Sequence, residues 1–253
     1  MRWNVSYIKW RRYLNDERQT ANQPSDYPSG IMFQTNFQKP LITVFYSIGS
    51  RPLGNWAIHQ CTVREMQHVQ DDELRSNVLQ IQSPNENACC ITCPMNPKGS
   101  LGIRLPFVTL LVKNLGRFFT FEITILDSEN IRRRLRASNY HTIKKQSTFM
   151  ITMPFCMNEG WNQLNMNLAE ITSDSFKTTY VETVRVQVHA NCRLRRIYFS
   201  DLLYKDDQLP NAYRMHGTKD LRKNSNIILK KKAVIVNQKS AGDNSHSREP
   251  AIK

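Results

Sequence analysis

Three groups of residues in this chain have types and spacings that chemistry could use. Cys90-x-x-Cys93 has the spacing of a zinc pair or a redox dithiol. Asp71, Asp72 and Glu73 set three carboxylates in a row, the material of acid–base work. Two arginine runs, Arg132-Arg133-Arg134-Leu135-Arg136 and Arg193-Leu194-Arg195-Arg196, gather guanidinium groups suited to carboxylates or phosphates. The first two groups lack what they need. No second Cys-x-x-Cys or His pair completes four zinc ligands, and no helical pattern follows the motif as a thioredoxin-type site requires. His59, His68, His141 and His189 stand singly, away from any Ser or Cys that would suggest a triad. Phosphate-binding loops, nucleophile elbows and His-Glu-x-x-His helices are missing. The cysteines read as buried strand residues, the acidic triplet as a solvated helix start, and the protein as a non-enzyme with no cofactor and no metal site.

The arginine runs belong to a wider imbalance. The 253 residues carry 35 lysines and arginines against 21 acids, a formal net charge of +14, with 40% hydrophobic residues to build a core. Half of the excess lies in residues 211–253, where the run Lys230 to Lys232 interrupts the last apolar stretch. Such a balance implies an acidic partner: nucleic acid, an anionic membrane or an acidic protein surface. The apolar stretches fall short of the roughly 20 residues of a membrane span, so no membrane partner is expected. The start of the chain lacks the apolar run of a secretory signal. Six cysteines are too sparse for a disulfide scaffold, which points to a reducing, intracellular compartment.

The elements that must hold these residues are strands. From Leu41 onward, short β-branched and aromatic runs alternate with Gly, Pro, Asn and Asp. Strands are expected at 41–48, 77–82, 88–93, 101–105, 107–115, 118–126, 131–137, 148–153, 161–168, 180–189 and 193–199. Phe119, Phe121, Ile123 and Ile125 face one way and Thr120, Glu122 and Thr124 the other. Val184, Val186 and Val188 likewise oppose Arg185, Gln187 and His189. The fold expected is all-β, an antiparallel β-sandwich of jelly-roll or Greek-key type with one or two short helices, near 71–75 and 169–176. Alternation puts Arg132, Arg134 and Arg136 on one face with Arg133 opposite. Two readings fit these cations: an anion-binding ridge, or internal pairs with Glu122, Asp127 or Glu182 on adjacent strands.

Three regions follow: an extension 1–31, a domain 32–210, and a basic tail 211–253 expected to be mostly disordered. In the extension Trp3, Tyr7, Trp10 and Leu14 recur at helical spacing, which fits a docking helix, a targeting segment, or no structure in isolation. Residues 15–30 read as a linker.

Several blocks together resemble the cilia- and flagella-associated protein 20 family. They are Tyr46-Ser-Ile-Gly-Ser-Arg-Pro-Leu53, Ile91-Thr-Cys-Pro94, Leu101-Gly-Ile-Arg-Leu-Pro-Phe107, Arg136-Ala-Ser-Asn-Tyr140, Met153-Pro154, Gly160-Trp-Asn-Gln163, Val186-Gln-Val-His-Ala-Asn-Cys-Arg193 and Tyr198-Phe-Ser-Asp201. The likeness runs from about Met32 to Pro210, leaves out both extensions and weakens over 57–69, as in a diverged paralogue. It implies a sandwich similar to carbohydrate-binding modules. It also implies a structural role in the ciliary or flagellar axoneme, at the inner junction of doublet microtubules, with tubulin and the parkin co-regulated protein as partners. Basal bodies or centrioles and the nucleus are further family locations. Arg132, Arg134, Arg136, Arg193, Arg195 and Arg196 are the candidates for an acidic partner on charge alone. Two competing functions remain open here: a nuclear nucleic-acid-associated factor, motivated by the charge, and a carbohydrate-binding module with Trp56 or Trp161 stacked on a sugar.

Overall fold

The computed structural model describes residues 30–33 and 37–215. The readings of the N-terminal extension before Gly30 and of the tail after Met215 lie outside the described residues.

Thirteen strands are formed among the described residues: β1 (Leu41–Tyr46), β2 (Ala57–His59), β3 (Met66–Asp71), β4 (Ser76–Ile81), β5 (Cys90–Cys93), β6 (Phe107–Asn114), β7 (Thr120–Asp127), β8 (Arg132–Ser138), β9 (Lys145–Gln146), β10 (Met150–Pro154), β11 (Gly160–Asn167), β12 (Tyr180–His189) and β13 (Cys192–Ser200). One sheet runs β11-β6-β13-β4-β3, with β1 also on β13; the other runs β2-β5-β12-β7-β8-β10-β9. The expected all-β sandwich is therefore present. Its inner faces are the alternating apolar sets: Phe119, Phe121, Ile123, Ile125, Val186 and Val188 from the second sheet meet Val108, Leu110, Val112, Leu194 and Ile197 from the first.

One pairing departs from an antiparallel sandwich. Strand β10 runs parallel to β8, and the segment between them returns along the sheet edge as β9. That edge strand is two residues long, exposed, and preceded by Lys144, with Lys145 inside it. Short length and lysines both discourage another chain from pairing there.

The α-helix α1 (Leu168–Phe176) forms where a second short helix was expected. Asn167 caps it by accepting from the Glu170 N–H. The turn expected to be helical near Asp71 is instead the tip of the β3–β4 hairpin. Asp71 does accept from the backbone N–H groups of Glu73 and Leu74, as a cap would, but strand pairing on both sides turns the chain back. The strand expected at 101–105 reduces to one bridge, Ile103 to Thr183. Gly102 explains why: its φ is +67°, and a Cβ there would lie 2.0 Å from Ile31 Cγ2, so the N-terminal segment crosses directly over it. Strands β2 and β3 were not anticipated. The first is three residues long and the second is mostly polar, so neither carries a clear alternating pattern.

Candidate binding surface

The six candidate arginines separate onto the outer faces of opposite sheets. Across the second sheet one register line joins Ala57, Thr92, Gln187, Glu122, Arg136, Thr152 and Lys145. Glu122 is its hub. It is 3% exposed, takes Arg136 Nη2 at 2.6 Å and Arg134 Nε at 3.3 Å, and has His189 Nε2 at 3.4 Å. Burial alone would raise its carboxyl pKa. The His189 contact and the Arg136 and Arg134 charges outweigh burial and hold it below the usual range, so Glu122 is ionised at neutral pH.

One carboxylate thus serves two guanidinium groups. Arg132 is exposed and makes no ion pair among the described residues, while the Arg134 side chain is 55% exposed and Arg136 31%. The internal-pair reading is realised in part: alternation presents the three arginines on one face, and Glu122 neutralises some of their charge. Lys144 and Lys145 on the sheet edge extend the basic surface. The run Arg132 to Arg136 did not reveal them, although paired lysines on a short edge strand are a legible signal. Ile143 and Phe149, 69% and 62% exposed, flank the same edge.

Arg133, on the inner side, is structural. Its Nε meets Asp127 Oδ2 at 2.7 Å, its Nη2 meets Glu129 at 2.9 Å, and its guanidinium lies over the Phe176 ring. Burial pushes the Asp127 carboxyl up, but the Ile131 N–H, Arg133 and Thr178 together bring it below its usual value. Arg185 is also consumed locally, donating to the carbonyls of Pro94, Asn96 and Pro97 at 2.9 Å each and so tying down that loop.

The first sheet uses Arg193 differently. A register line there joins Trp161, Lys113, Arg193, Gln80 and Gln67. The hairpin tip delivers Asp71 onto it. Asp71 Oδ2 accepts from Arg193 Nη1 at 2.8 Å and Lys113 Nζ at 3.1 Å, and Oδ1 accepts from Trp161 Nε1 at 3.0 Å. Glu73 closes on Lys113 as well. Gly160 begins β11 with φ of +76°, a left-handed conformation that favours glycine, while a Cβ there would meet Glu73 Oε2 only in ordinary contact at 3.5 Å. Burial would raise the Asp71 pKa, yet the donors from Trp161, Arg193, Lys113 and the Leu74 N–H drive it far below the carboxylate range. The acidic triplet is therefore not a solvated helix start, because Asp71 is fully buried at the centre of this network. Arg193 is spent inside the fold. Its side chain is still 26% exposed, whereas Arg195 and Arg196 are buried, at 7% and 4% exposure.

The cysteines are not a chelating pair. Residues three apart on a strand point to opposite faces: Cys93 enters the core while Cys90 lies on the outer side beside Gln187. Burial, with Glu122 nearby, raises the Cys90 thiol to about 11, and burial raises Cys93 to about 12, so neither is a ready thiolate. Among the described residues no three His, Cys, Asp or Glu side chains gather to hold a metal. The sequence did not point to a disulfide, yet Cys61 and Cys89 are joined by one, their Cα atoms 4.7 Å apart, because pairing of β2 with β5 brings the two segments together. The tryptophans suggested for sugar stacking have internal roles. Trp56 is 1% exposed and donates to the Val44 carbonyl, and Trp161 donates to Asp71.

Comparison with known proteins adds a family. Residues 32–217 match the model described as the CFA20 domain. Proteins called "Cilia- and flagella-associated protein 20" are similar over most of their length. That of Chlamydomonas reinhardtii is 46% identical over 184 residues, covering 73% of this chain and 96% of the relative. That of Paramecium tetraurelia is 45% identical over the same coverage. That of Caenorhabditis elegans is 44% identical over 185 residues, covering 73% of this chain and 91% of the relative.

Proposed function

The chain belongs to the CFA20 domain family, and on that footing we propose that it is a non-catalytic structural protein of cilia and flagella that attaches to axonemal microtubules. Attachment is at the inner junction of the doublet, with tubulin and a protein of the parkin co-regulated type as neighbours. Residues 32–210 act as the binding domain, flanked in the sequence by the extensions 1–31 and 211–253.

The observation that carries this reading is the charge left over on the outer face of β8. Arg134 and Arg136 share the single carboxylate of Glu122, Arg132 makes no ion pair among the described residues, and Lys145 lies in register with Arg136 across β10. Tubulin surfaces are acidic, and a half-exposed strand face whose cations outnumber its one carboxylate is attracted to them. Repetition along a filament adds avidity to contacts that are weak singly. The fold suits the role because β8 is braced on both sides, by β7 and by β10, so its guanidinium groups project from a fixed platform.

Co-sedimentation with microtubules, intact and after proteolytic removal of the acidic tubulin tails, tests the proposal. Binding that weakens with rising salt and with tail removal is expected. Failure to sediment with either polymer at low salt, with an inner-junction partner present, would overturn it.

A further inference from the structure

Strand β13 carries one residue more than its neighbour. Leu194 pairs with Val112 and Arg196 with Leu111, so Arg195 is the extra residue of a β-bulge. Leu194 and Ile197 on either side enter the core. The bulge therefore leaves two consecutive arginines between them on the outer side of the first sheet, where strict alternation would have divided them.

Neither has a counter-ion among the described residues. Arg196 lies between the rings of Tyr46, 3.7 Å from its guanidinium carbon, and Tyr213, 4.5 Å away, and donates from Nη1 to Thr43 Oγ1 at 2.9 Å. Arg195 donates from Nη1 to Ser76 Oγ. No carboxylate of the described residues pairs with either, and the Nε of each is buried without an acceptor. Arg133, Arg136 and Arg193 all have a carboxylate. Two adjacent buried cations are costly to keep unpaired. Burial, with Arg195 alongside, lowers the Arg196 pKa, and the tyrosine π faces offset only part of the cost.

We propose that Arg195 and Arg196 form an oxyanion site, separate from the β8 face, that receives a carboxylate from an acidic segment of a partner polypeptide. Two neighbouring guanidinium groups with free Nε–H donors suit a planar carboxylate, which fork-like pairing recognises. The chain's charge of +14 selects acidic polypeptides around it. Tyr213 is the cover. It belongs to a single 3-10 turn, Asn211–Tyr213, and is held by the Thr43 hydroxyl at 3.1 Å and by edge-on contact with Tyr198. Rotation of its side chain uncovers Arg196 while buried Leu209 and Met215 keep the segment in place.

The arginine Nε–Hε resonances of the full chain report this directly, titrated with a short polyglutamate peptide and, separately, with inorganic phosphate. The Arg195 and Arg196 signals should shift saturably with the peptide and more weakly with phosphate. Tyr213→Ala should tighten peptide binding at these two signals, and Arg195→Gln with Arg196→Gln, followed at the backbone amide signals of Thr43 and Tyr46 because the two Nε–Hε signals are gone, should weaken it roughly tenfold or more. Arg132→Gln with Arg134→Gln should leave these signals responsive, so failure of the β8 reading and failure of this one are distinguishable. Immobile signals overturn the proposal. Binding of phosphate as tight as that of peptide also overturns it, reassigning the site to a free oxyanion. So does a signal already shifted in the free chain and released by Asp220→Asn, which would make the chain's own tail the occupant. If the double arginine variant does not fold, Tyr213→Ala, which removes no charge, still decides.

Discussion

Asp71 and Glu122 are both buried carboxylates on the outer face of a sheet, and each is reached by two long cationic side chains. At Asp71 the donors come from β6, β11 and β13 while the carboxylate arrives from the β3–β4 hairpin, and Glu73 balances the second cation. Four elements are locked together and no charge is left over. At Glu122 both arginines come from the neighbouring strand β8, the fold is not stitched further by them, and positive charge remains. The same residue types therefore build a clasp on one face and a half-neutralised surface on the other. What separates them is where the counter-charge comes from.

The largest effect should follow from opening the clasp. Asp71→Asn leaves Arg193, Lys113 and the Trp161 N–H facing a neutral amide and should cost about 3–5 kcal/mol, as for removal of one partner from a buried pair. Urea unfolding measures it. Glu122→Gln should cost less, about 1–3 kcal/mol, since Arg134 and Arg136 can turn to solvent. The same substitution should increase affinity for acidic partners by removing the one carboxylate of the β8 row, opposite in sign to its effect on stability. A variant that lost both would show the two faces to be alike.

Acid should probe the same contrast. Asp71, Asp127 and Glu122 all have folded pKa values below their unfolded ones. Their stabilisation is present above the unfolded carboxylate range near pH 4 and is lost as pH falls through the lower folded values. Asp71→Asn should flatten this acid limb more than Glu122→Gln, as thermal unfolding at a series of pH values would record. The smallest stability change belongs to Arg132→Gln, which breaks no pair among the described residues. Its unfolding midpoint should match the parent, whereas its salt dependence of binding should be shallower.

Strand alternation made the core legible: Phe119, Phe121, Ile123 and Ile125 are buried as a period of two requires. It also set Arg132, Arg134 and Arg136 together. What remained hidden depended on contacts between segments distant in sequence. Asp71 meets Trp161 across 90 positions and Arg193 across 122, and no local pattern encodes that a polar hairpin will fold over a sheet. The bulge at Arg195 was hidden for a related reason, because an inserted residue shows only in register with the neighbouring strand. The Cys61–Cys89 bond depended on the three-residue strand β2, too short to declare itself.

The half-neutralised β8 face is the proposed attachment of the domain to microtubules. Co-sedimentation of the parent and of Arg132→Gln with Arg134→Gln, over a series of salt concentrations, tests it most directly. Binding weakened by roughly tenfold and a flatter salt dependence are expected in the variant, with the unfolding curve preserved. Superimposable binding curves for the two proteins would contradict it.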